Sequence, residues 1–326
     1  MQQQSEQTVQ HGSDSITGSV KDPAKTSISV IIPTLNAGNK IIQLLDTLKL
    51  QRRKPDEILV IDSSSDDGSV QKIANYHGIK LITISREEFN HGKTRDMAVR
   101  HTHGDFILFL TQDALPQDTD YIAHLLEPFR DPSVAMVSGR QIARDDARPF
   151  ERLVREYNYP AKSYTRCHSD IQRMGIKAFF ASDVCSAYRR KAYLQVGGFE
   201  RVTTNEDMFI AATFLRYNWK VAYCAEAIVI HSHNFTLQQQ YRRNYAMGRE
   251  IQLHQHLLGN VPLNSEGKSL VKYVVSKLIS NHRYLELASF ILDCASRLLG
   301  NAIGTCAGKK EQRKITESKN ENTNHQ

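Results

Sequence analysis

Short apolar segments alternate with amphipathic segments through the first third of this 326-residue chain. Four apolar segments have the length and the β-branched content of buried strands: 28–32, 58–61, 80–84 and 106–110. The segments between them with a helical apolar period are 40–50, 70–76 and 94–101. Apolar strands separated by helices predict a Rossmann-like α/β fold, with a mixed, mostly parallel sheet and helices on both faces.

The composition divides the chain into four regions. Residues 1–26 are polar and residues 308–326 are charged and poor in apolar side chains, so both are predicted to be disordered tails. The α/β domain is predicted to span 27–250. Residues 251–307 are predicted to form a C-terminal amphipathic helical region, because two apolar stripes recur there at helical spacing.

In parallel sheets, ligands bind at the carboxyl ends of the strands. Asp62 directly follows the second strand and could accept hydrogen bonds from a ribose or a base, or it could cap an ordinary turn. The fourth strand delivers Gln112 and Asp113 to the same edge. A carboxylate there could hold a divalent cation that bridges the phosphates of a nucleotide, and the plainer alternative is a turn residue before Pro116.

Two further groups carry reactive side chains. Glu206 and Asp207 open a predicted helix, where a carboxylate could take the proton of an attacking hydroxyl or simply favour the helix N-terminus. His231 and His233 alternate after an apolar strand and therefore point the same way. Either could complete the shell of a metal begun by Asp113, and the alternative is a surface pair at a strand end.

The net charge of +7 and the pI of about 9.1 fit anionic partners such as nucleotide phosphates, nucleic acid or an anionic membrane face. Four cations that could neutralise phosphates, or form solvated surface, are Lys93, Arg95, Arg242 and Arg243. The C-terminal stripes are flanked by Lys268, Lys272, Lys277 and Arg297. These helices are expected either to contact the inner membrane face or to pack on the α/β domain.

The five cysteines form no CxxC pair, which argues against a disulfide framework or a zinc site and favours a reducing compartment. The first residues lack the basic and apolar regions of a signal peptide, and no apolar run approaches the ~20 residues of a spanning helix. The sequence therefore predicts a cytoplasmic protein, either free or peripheral to the membrane.

Seven motifs occur in one order between residues 27 and 250. They are VIIPTLN (30–36), VIDSSSDDGS (60–69), FNHGKTRDMA (89–98), FLTQDALP (109–116), GGFE (197–200), NED (205–207) and HSH (231–233). Together they resemble the family 2 glycosyltransferases, which have the GT-A fold. FNHGKTRDMA followed by FLTQDALP looks most like the rhamnosyltransferases that build bacterial surface polysaccharides.

The resemblance implies an inverting glycosyltransferase that uses Mg²⁺ or Mn²⁺, moves L-rhamnose from dTDP-L-rhamnose to a saccharide or lipid-linked acceptor, and has no nucleic-acid partner. Asp207 would be the catalytic base, and Asp113 and His231 the metal ligands. The substrate-binding residues would be Pro33, Thr34, Asn36, Asp62, Arg95, Gln112, Gly198, Phe199 and Glu206. Among these, Arg95 would hold the nucleotide or its phosphates, and Gly198 and Phe199 would border the acceptor.

The chain departs from the family pattern in three places. Ser63 stands where many relatives have a second aspartate, and the metal element Thr111-Gln112-Asp113 has one carboxylate. The QxxRW element of processive enzymes is only partly present in residues 239–243 and lacks its Trp, which argues against a polymerase. Two other functions stay open at this point: a nucleotidyltransferase, and a nucleotide-sugar-binding protein without activity.

Overall fold

The computed structural model of the chain describes residues 26–259, 261 and 265–323. Of the predicted N-terminal tail, residues 1–25 lie outside the described residues.

Nine strands form one sheet within these residues. They are β1 (Ile28–Thr34), β2 (Glu57–Asp62), β3 (Ile79–Thr83), β4 (Phe106–Leu110), β5 (Leu115–Pro116), β6 (Val134–Ile142), β7 (Tyr164–Arg166), β8 (Cys185–Arg189) and β9 (Lys220–Ile230). The helices are α1 (Lys40–Lys49), α2 (Ser69–Ala74), α3 (His91–Arg100), α4 (Tyr121–Leu126), α5 (Pro149–Asn158), α6 (Asp170–Met174), α7 (Arg190–Gln195), α8 (Glu206–Arg216), α9 (Leu237–Leu253), α10 (Gln255–Leu258), α11 (Ser265–Ser280) and α12 (Tyr284–Thr323).

The strand order is β3-β2-β1-β4-β8-β6-β9-β5, with β7 paired to β9. The pairs among β1 to β4 are parallel, β8 is antiparallel to both β4 and β6, and β6 is parallel to β9. The carboxyl ends of β1, β2, β4, β6 and β9 therefore share one edge with the amino end of β8. The predicted mixed α/β sheet is confirmed, and this edge is where the reactive residues meet.

Both faces of the sheet are covered, because alternate side chains of each buried strand enter different cores. In β1, Val30 belongs to the core beneath α1 and α4, and Ile31 belongs to the core beneath α3 and α8. Both side chains are 0% exposed. This double burial explains why these strands are apolar throughout and why the sequence pattern is so clear there.

The C-terminal helices pack on the α/β domain in two places. Helix α11 contacts α5, and its Val274 and Leu278 are buried beside Phe150 and Phe290. Helix α12 lies along α9, where glycines allow the two backbones to approach: a Cβ atom added at Gly304 would collide with the backbone of α9. Packing on the domain, one of the two alternatives from the sequence, is therefore found for α11 and for one face of α12.

Helix α12 continues to Thr323, whereas the sequence predicts a disordered tail from residue 308. The correction has a physical reason in the contact with α9. Gly308 lies against the α9 backbone, and Glu311 forms an ion pair of 2.7 Å with Arg249. These contacts extend the helix past the point where its apolar pattern ends. None of the helices in the described residues is long and apolar enough to cross a bilayer.

Candidate active site

A cleft of about 910 Å³ opens at the strand-end edge of the sheet. Its lining includes five of the predicted site residues: Arg95, Asp113, Glu206, Asp207 and His231. Asp113 follows β4, His231 follows β9 and Asp207 lies in the first turn of α8. The shared edge thus brings Asp113 together with two residues that lie more than 90 positions further along the chain.

Asp113 and the two histidines form a compact cluster. The Nε2 atom of His231 lies 3.7 Å from Oδ1 of Asp113, and that of His233 lies 3.6 Å from Oδ2. One ligand atom from each residue fits within 4.8 Å of the others, which suits a single cation. One carboxylate and two imidazoles are common ligands of divalent transition metals, so this donor set fits a divalent cation. His233, which the sequence analysis set aside in favour of His231, belongs to the cluster as well.

Gln141, at the end of β6, orients His231. Its Oε1 atom lies 2.9 Å from Nδ1 of His231, and the hydrogen-bond network assigns the proton to Nδ1. The Nε2 lone pair of the ring is then directed toward the cluster. The amide group of Gln141 donates in turn to the hydroxyls of Tyr159 (2.8 Å) and Ser182 (2.9 Å).

Burial keeps the histidines neutral. Desolvation lowers the pKa of His231 well below its ordinary value, and the nearby Arg155 guanidinium lowers it further. The pKa of His233 is lowered for the same first reason, with the charge of Asp113 opposing the shift. Neutral imidazole is the form that binds a metal ion.

A second cluster contains three carboxylates and one guanidinium. The backbone N–H of Asp183 donates to Oδ2 of Asp207 at 3.2 Å. The guanidinium of Arg95 lies 3.0 Å from Oε1 of Glu206 and 3.7 Å from Oδ2 of Asp183. Asp183 also accepts hydrogen bonds from Ser186 and Tyr188.

One cation cannot balance three buried acids, and two of them, Asp183 and Asp207, have a raised pKa. Burial raises the pKa of Asp207 well above its ordinary value, and the negative charges of Glu206 and Asp183 raise it further. Burial also raises the pKa of Asp183 to about 6, although Arg95 opposes the shift. A carboxylate with a raised pKa is suited to accept a proton near neutral pH.

The loops after β1 and β2 hold each other in place. The side chain of Asp62 is fully buried and accepts hydrogen bonds from Thr34 (3.1 Å) and from the backbone N–H of Ser65 (2.8 Å). Asn36 is exposed at a φ of 50° and accepts from the N–H of Asp66 at 3.0 Å. Asp62 therefore stabilises the turn after β2, which is the alternative role that the sequence allowed. Asn36 faces solvent.

Pro33 is half-buried at the end of β1, beside these loops. Gln112 forms two hydrogen bonds with the loop after β1. Its amide oxygen accepts from the backbone N–H of Leu35 at 2.7 Å, and its amide nitrogen donates to the carbonyl of Leu35 at 3.0 Å. This pair fixes the loop after β1 against the loop that carries Asp113.

Four of the predicted substrate-binding residues contact other parts of the protein in the structure. Arg95 lines the cleft but is 3% exposed, and its guanidinium faces the carboxylates at the start of α8. Gly198 has a φ of 80°, which turns the chain so that Phe199 packs against Phe109 and Tyr188. Neither Gly198 nor Phe199 lines the cleft, so they do not border an acceptor there. Glu206 lines the cleft but is 5% exposed and is paired with Arg95.

The structure separates the candidate phosphate-binding cations. Lys93 and Arg242 are exposed outside the cleft, whereas Arg243 lines it beside Phe235. Arg155, which the sequence analysis missed, also lines the cleft and donates to Gln141. The sequence around Arg155 does not indicate a functional role, because its contact with Gln141 depends on how α5 packs on β6.

Residues 29–197 match the family described as Glycosyl transferase family 2. The O-antigen chain rhamnosyltransferase RfbN of Salmonella typhimurium is 43% identical over 223 residues, which cover 68% of this chain and 71% of that protein. The O-antigen chain rhamnosyltransferase WbaN of Salmonella anatum is 39% identical over 225 residues, with the same coverage of 68% and 71%.

Solved structures share the fold. The mannosyltransferase PcManGT from Pyrobaculum calidifontis, in complex with GDP-Man and Mn²⁺, has a TM-score of 0.60 at 17% identity and covers 89% of this chain and 88% of its own. TarS 1–349 of S. aureus, in complex with UDP-GlcNAc, has a TM-score of 0.53 at 17% identity, covering 77% and 72%. These likenesses confirm the predicted GT-A fold. With the family match and the two relatives, they show that the chain is a glycosyltransferase of family 2.

Proposed function

We propose that this glycosyltransferase moves L-rhamnose from dTDP-L-rhamnose to a hydroxyl of a saccharide or lipid-linked acceptor during synthesis of a surface polysaccharide, with inversion at the anomeric carbon. The observation that carries the proposal is the single cleft that holds both Asp207 and the cluster of Asp113, His231 and His233. The choice of sugar is supported by the rhamnosyltransferase relatives at 43% and 39% identity.

Asp207 is the proposed catalytic base. Its carboxylate accepts the proton of the acceptor hydroxyl, whose oxygen bonds to the anomeric carbon while the bond from that carbon to the diphosphate breaks. The raised pKa of Asp207 makes it a stronger base than an exposed aspartate. The proposed role of Arg95 and Asp183 is to position this base, since the N–H of Asp183 binds it and Arg95 balances part of the local negative charge.

The proposed metal ligands are Asp113, His231 and His233. A divalent cation held there supplies charge neutralisation for a diphosphate leaving group. Of Mg²⁺ and Mn²⁺, the donor set favours Mn²⁺, because Mg²⁺ prefers oxygen ligands and two of these three are nitrogen atoms. Arg155 and Arg243 line the same cleft, and their proposed role is to bind the diphosphate oxygens.

The proposed nucleoside pocket is formed by the loops after β1 and β2. Pro33, Thr34 and Asn36 line it, and Asp62 and Gln112 hold its shape through the hydrogen bonds to Thr34 and Leu35.

The protein is proposed to work in the cytoplasm, at the inner membrane face, through the exposed side of α12. The relevant apolar side chains there include Leu285, which is 84% exposed, and Leu298, which is 72% exposed.

A donor panel tests the proposal. Release of nucleoside diphosphate is measured with Mn²⁺ for dTDP-rhamnose, UDP-glucose, UDP-galactose and GDP-mannose, with and without an acceptor. We expect dTDP-rhamnose to be preferred, because a 6-hydroxyl placed against an apolar surface costs about 1–3 kcal/mol. Preference for a UDP-hexose would contradict the rhamnosyl assignment, and no release from any donor would contradict the proposed transfer.

A further inference from the structure

Arg155 enters the cleft with two of its three side-chain nitrogen atoms already anchored. Its Nε atom donates to Oε1 of Glu151 at 3.0 Å, one helical turn earlier in α5. Its Nη1 atom donates to Oε1 of Gln141, the side chain that orients His231. Its Nη2 atom forms no hydrogen bond with any residue that the structure describes. The guanidinium is therefore held in place by the protein and keeps one nitrogen available for a ligand.

Glu151 is a buried carboxylate behind the cleft. It is 7% exposed and is absent from the cleft lining. Burial raises the pKa of its carboxyl above the ordinary value, and the charges of Arg155 and Arg297 oppose the shift. A buried charge is tolerated when an opposite charge lies beside it, and removing one partner leaves the other uncompensated. Glu151 therefore determines where the guanidinium of Arg155 lies.

Helix α12 contributes charged side chains to the same group. It packs against α5, where the rings of Phe150 and Phe290 lie with their centres 5.7 Å apart. Asp293 is 1% exposed and forms an ion pair of 2.5 Å with Arg297. The charges of both residues act on Glu151, Arg297 attracting it and Asp293 repelling it. None of the described residues of α12 lines the cleft, so this helix acts on the cleft from behind.

Arg243 joins the group from α9. It lines the cleft, and its guanidinium lies 4.6 Å from the ring centre of Phe235. Burial lowers its pKa, the charges of Arg297 and Arg155 lower it further, and the charge of Glu151 opposes the shift. The group thus contains three arginines and two carboxylates, and two of the arginines line the cleft. Its excess of positive charge suits an anion bound there.

We propose that Glu151 is a positioning residue for the leaving diphosphate, and that Asp293 and Arg297 extend this role to helix α12. Glu151 holds the guanidinium of Arg155 so that its remaining nitrogen can donate to a phosphate oxygen. The C-terminal helix is then part of the donor site although it does not touch the donor. The inference rests on the function proposed above, which assigns the diphosphate to the metal cluster with Arg155 and Arg243.

Calorimetric titration tests the positioning role. Wild-type protein is titrated with dTDP, UDP and GDP in the presence of Mn²⁺, and each variant with the tightest of the three and, by competition, with its nucleoside. Glu151→Met should weaken diphosphate binding about tenfold and leave nucleoside binding unchanged, because only the phosphate contact of Arg155 is lost. Glu151→Gln keeps an acceptor for Nε and should lose less. Glu156→Met and Glu156→Gln are the matched controls, because Glu156 is an exposed residue of the same helix outside the cleft.

A double-mutant cycle separates positioning from a general loss of structure. If Glu151 acts through Arg155, then Glu151→Met should cost little further binding in an Arg155→Met background. Arg297→Met should weaken diphosphate binding at least about threefold, because it removes a positive charge and leaves Asp293 unpaired beside Glu151. Arg283→Met is its matched control, since Arg283 also forms an ion pair with a nearby acid in sequence. Melting temperatures show which variants fold, and the glutamine variants of both glutamates provide the comparison if a methionine variant does not.

The outcomes distinguish the two proposals. Additive losses for Glu151→Met and Arg155→Met, an equal loss of nucleoside binding, or an equal loss in the Glu156 controls would overturn the inference. Equal binding by Arg297→Met and Arg283→Met would overturn the role of α12. Tightest binding of UDP or GDP would contradict the proposed dTDP donor while the positioning role is still measured, and no binding of any nucleotide by wild type would contradict both.

Discussion

The Oε1 atom of Gln141 accepts a hydrogen bond from Nδ1 of His231 at 2.9 Å, across the paired ends of β6 and β9. The backbone N–H of His231 also donates to the carbonyl of Ile142 at 2.9 Å, so both the chain and the ring are fixed. A residue that touches no metal therefore decides which nitrogen of His231 faces Asp113.

Replacing Gln141 should weaken metal binding without removing a ligand. We expect Gln141→Met to raise the Mn²⁺ concentration needed for half-maximal activity by about 10- to 100-fold, because the imidazole loses its fixed tautomer. Gln141→Glu keeps an acceptor for Nδ1–H and should recover most of the affinity. Manganese titrations of both variants check this, with melting temperatures to show that they fold. Equal Mn²⁺ requirements in Gln141→Met and wild type would remove the orienting role.

The two histidines should differ in their importance. His231→Ala should raise the Mn²⁺ requirement more than His233→Ala, because His231 is buried and held by Gln141, whereas the His233 side chain is 37% exposed. Asp113→Asn should nearly abolish transfer while the fold survives, since Asp113 is the only carboxylate in the cluster. Metal titration and initial rates measure all three variants. A larger effect for His233→Ala would reverse the assignment of the principal ligand.

The raised pKa of Asp207 predicts a pH-dependent stability effect. Its folded-state pKa lies above the unfolded value of about 3.9, so the stability associated with its protonated form is complete below that value and is lost as the pH rises through the folded pKa. Asp207→Asn stays neutral and should melt above wild type at pH 8, with the difference disappearing near pH 4. Thermal melts with EDTA measure this without interference from metal binding.

The same variant separates catalysis from binding. Asp207→Asn should lower kcat by about 10²- to 10⁴-fold, because the general base is lost, and should leave donor affinity unchanged. Single-turnover rates and calorimetric titration with donor and Mn²⁺ provide the two measurements. Loss of donor affinity would instead place Asp207 in the nucleotide site.

The sequence predicts both the fold and the position of Asp113 and His231, because both follow from the buried strands. Strands β1, β2 and β4 are buried on both faces, so their apolar runs are easy to recognise, and parallel strands place Asp113 at one edge. His231 could be placed there because it follows an apolar strand. Asp183 could not, because it precedes β8, and nothing in its local sequence shows that β8 runs antiparallel to β4.

The contacts of other predicted residues could not be read from the sequence, because they depend on packing. Arg95 has the sequence context of a phosphate-binding cation, but α3 directs it toward Glu206 at 3.0 Å. The turn at Gly198 has the composition of an exposed loop, yet it inserts Phe199 into the core. In both cases the deciding contact comes from an element distant in sequence, which local pattern does not contain.

The contact between α9 and α12 should be sensitive to side-chain size. Gly304→Leu should destabilise the fold by about 1–3 kcal/mol or more, because a side chain there meets the carbonyl of Tyr245. Helix α9 carries Arg243 and Met247 into the cleft, so activity should fall as well. Ala302→Leu, on the exposed side of the same helix, is the matched control. Denaturant unfolding compares them, and equal stabilities would show that the close approach is unimportant.

The outer face of α12 should bind anionic membranes. Leu285, Leu292 and Leu299 recur there at spacings of seven and are 84%, 56% and 56% exposed. Four exposed basic residues follow on the same helix, Lys309, Lys310, Arg313 and Lys314, together with the acidic Glu311 and Glu317. An apolar face beside a basic cluster suits the surface of an anionic bilayer, where each basic residue contributes about 1 kcal/mol.

Vesicle flotation tests this face directly. Wild-type protein should float with phosphatidylglycerol vesicles and much less with phosphatidylcholine vesicles, because the basic residues are attracted to an anionic surface. Leu292→Ser combined with Leu299→Ser should reduce binding at least about tenfold, since two exposed leucines lose the about 1.5–3 kcal/mol that each gains on burial. The double variant should keep its melting temperature, because both side chains are 56% exposed. Unchanged flotation of the double variant would remove the membrane role, and a concentration-dependent dimer of the wild type that the double variant lacks would assign the face to a second copy of the chain.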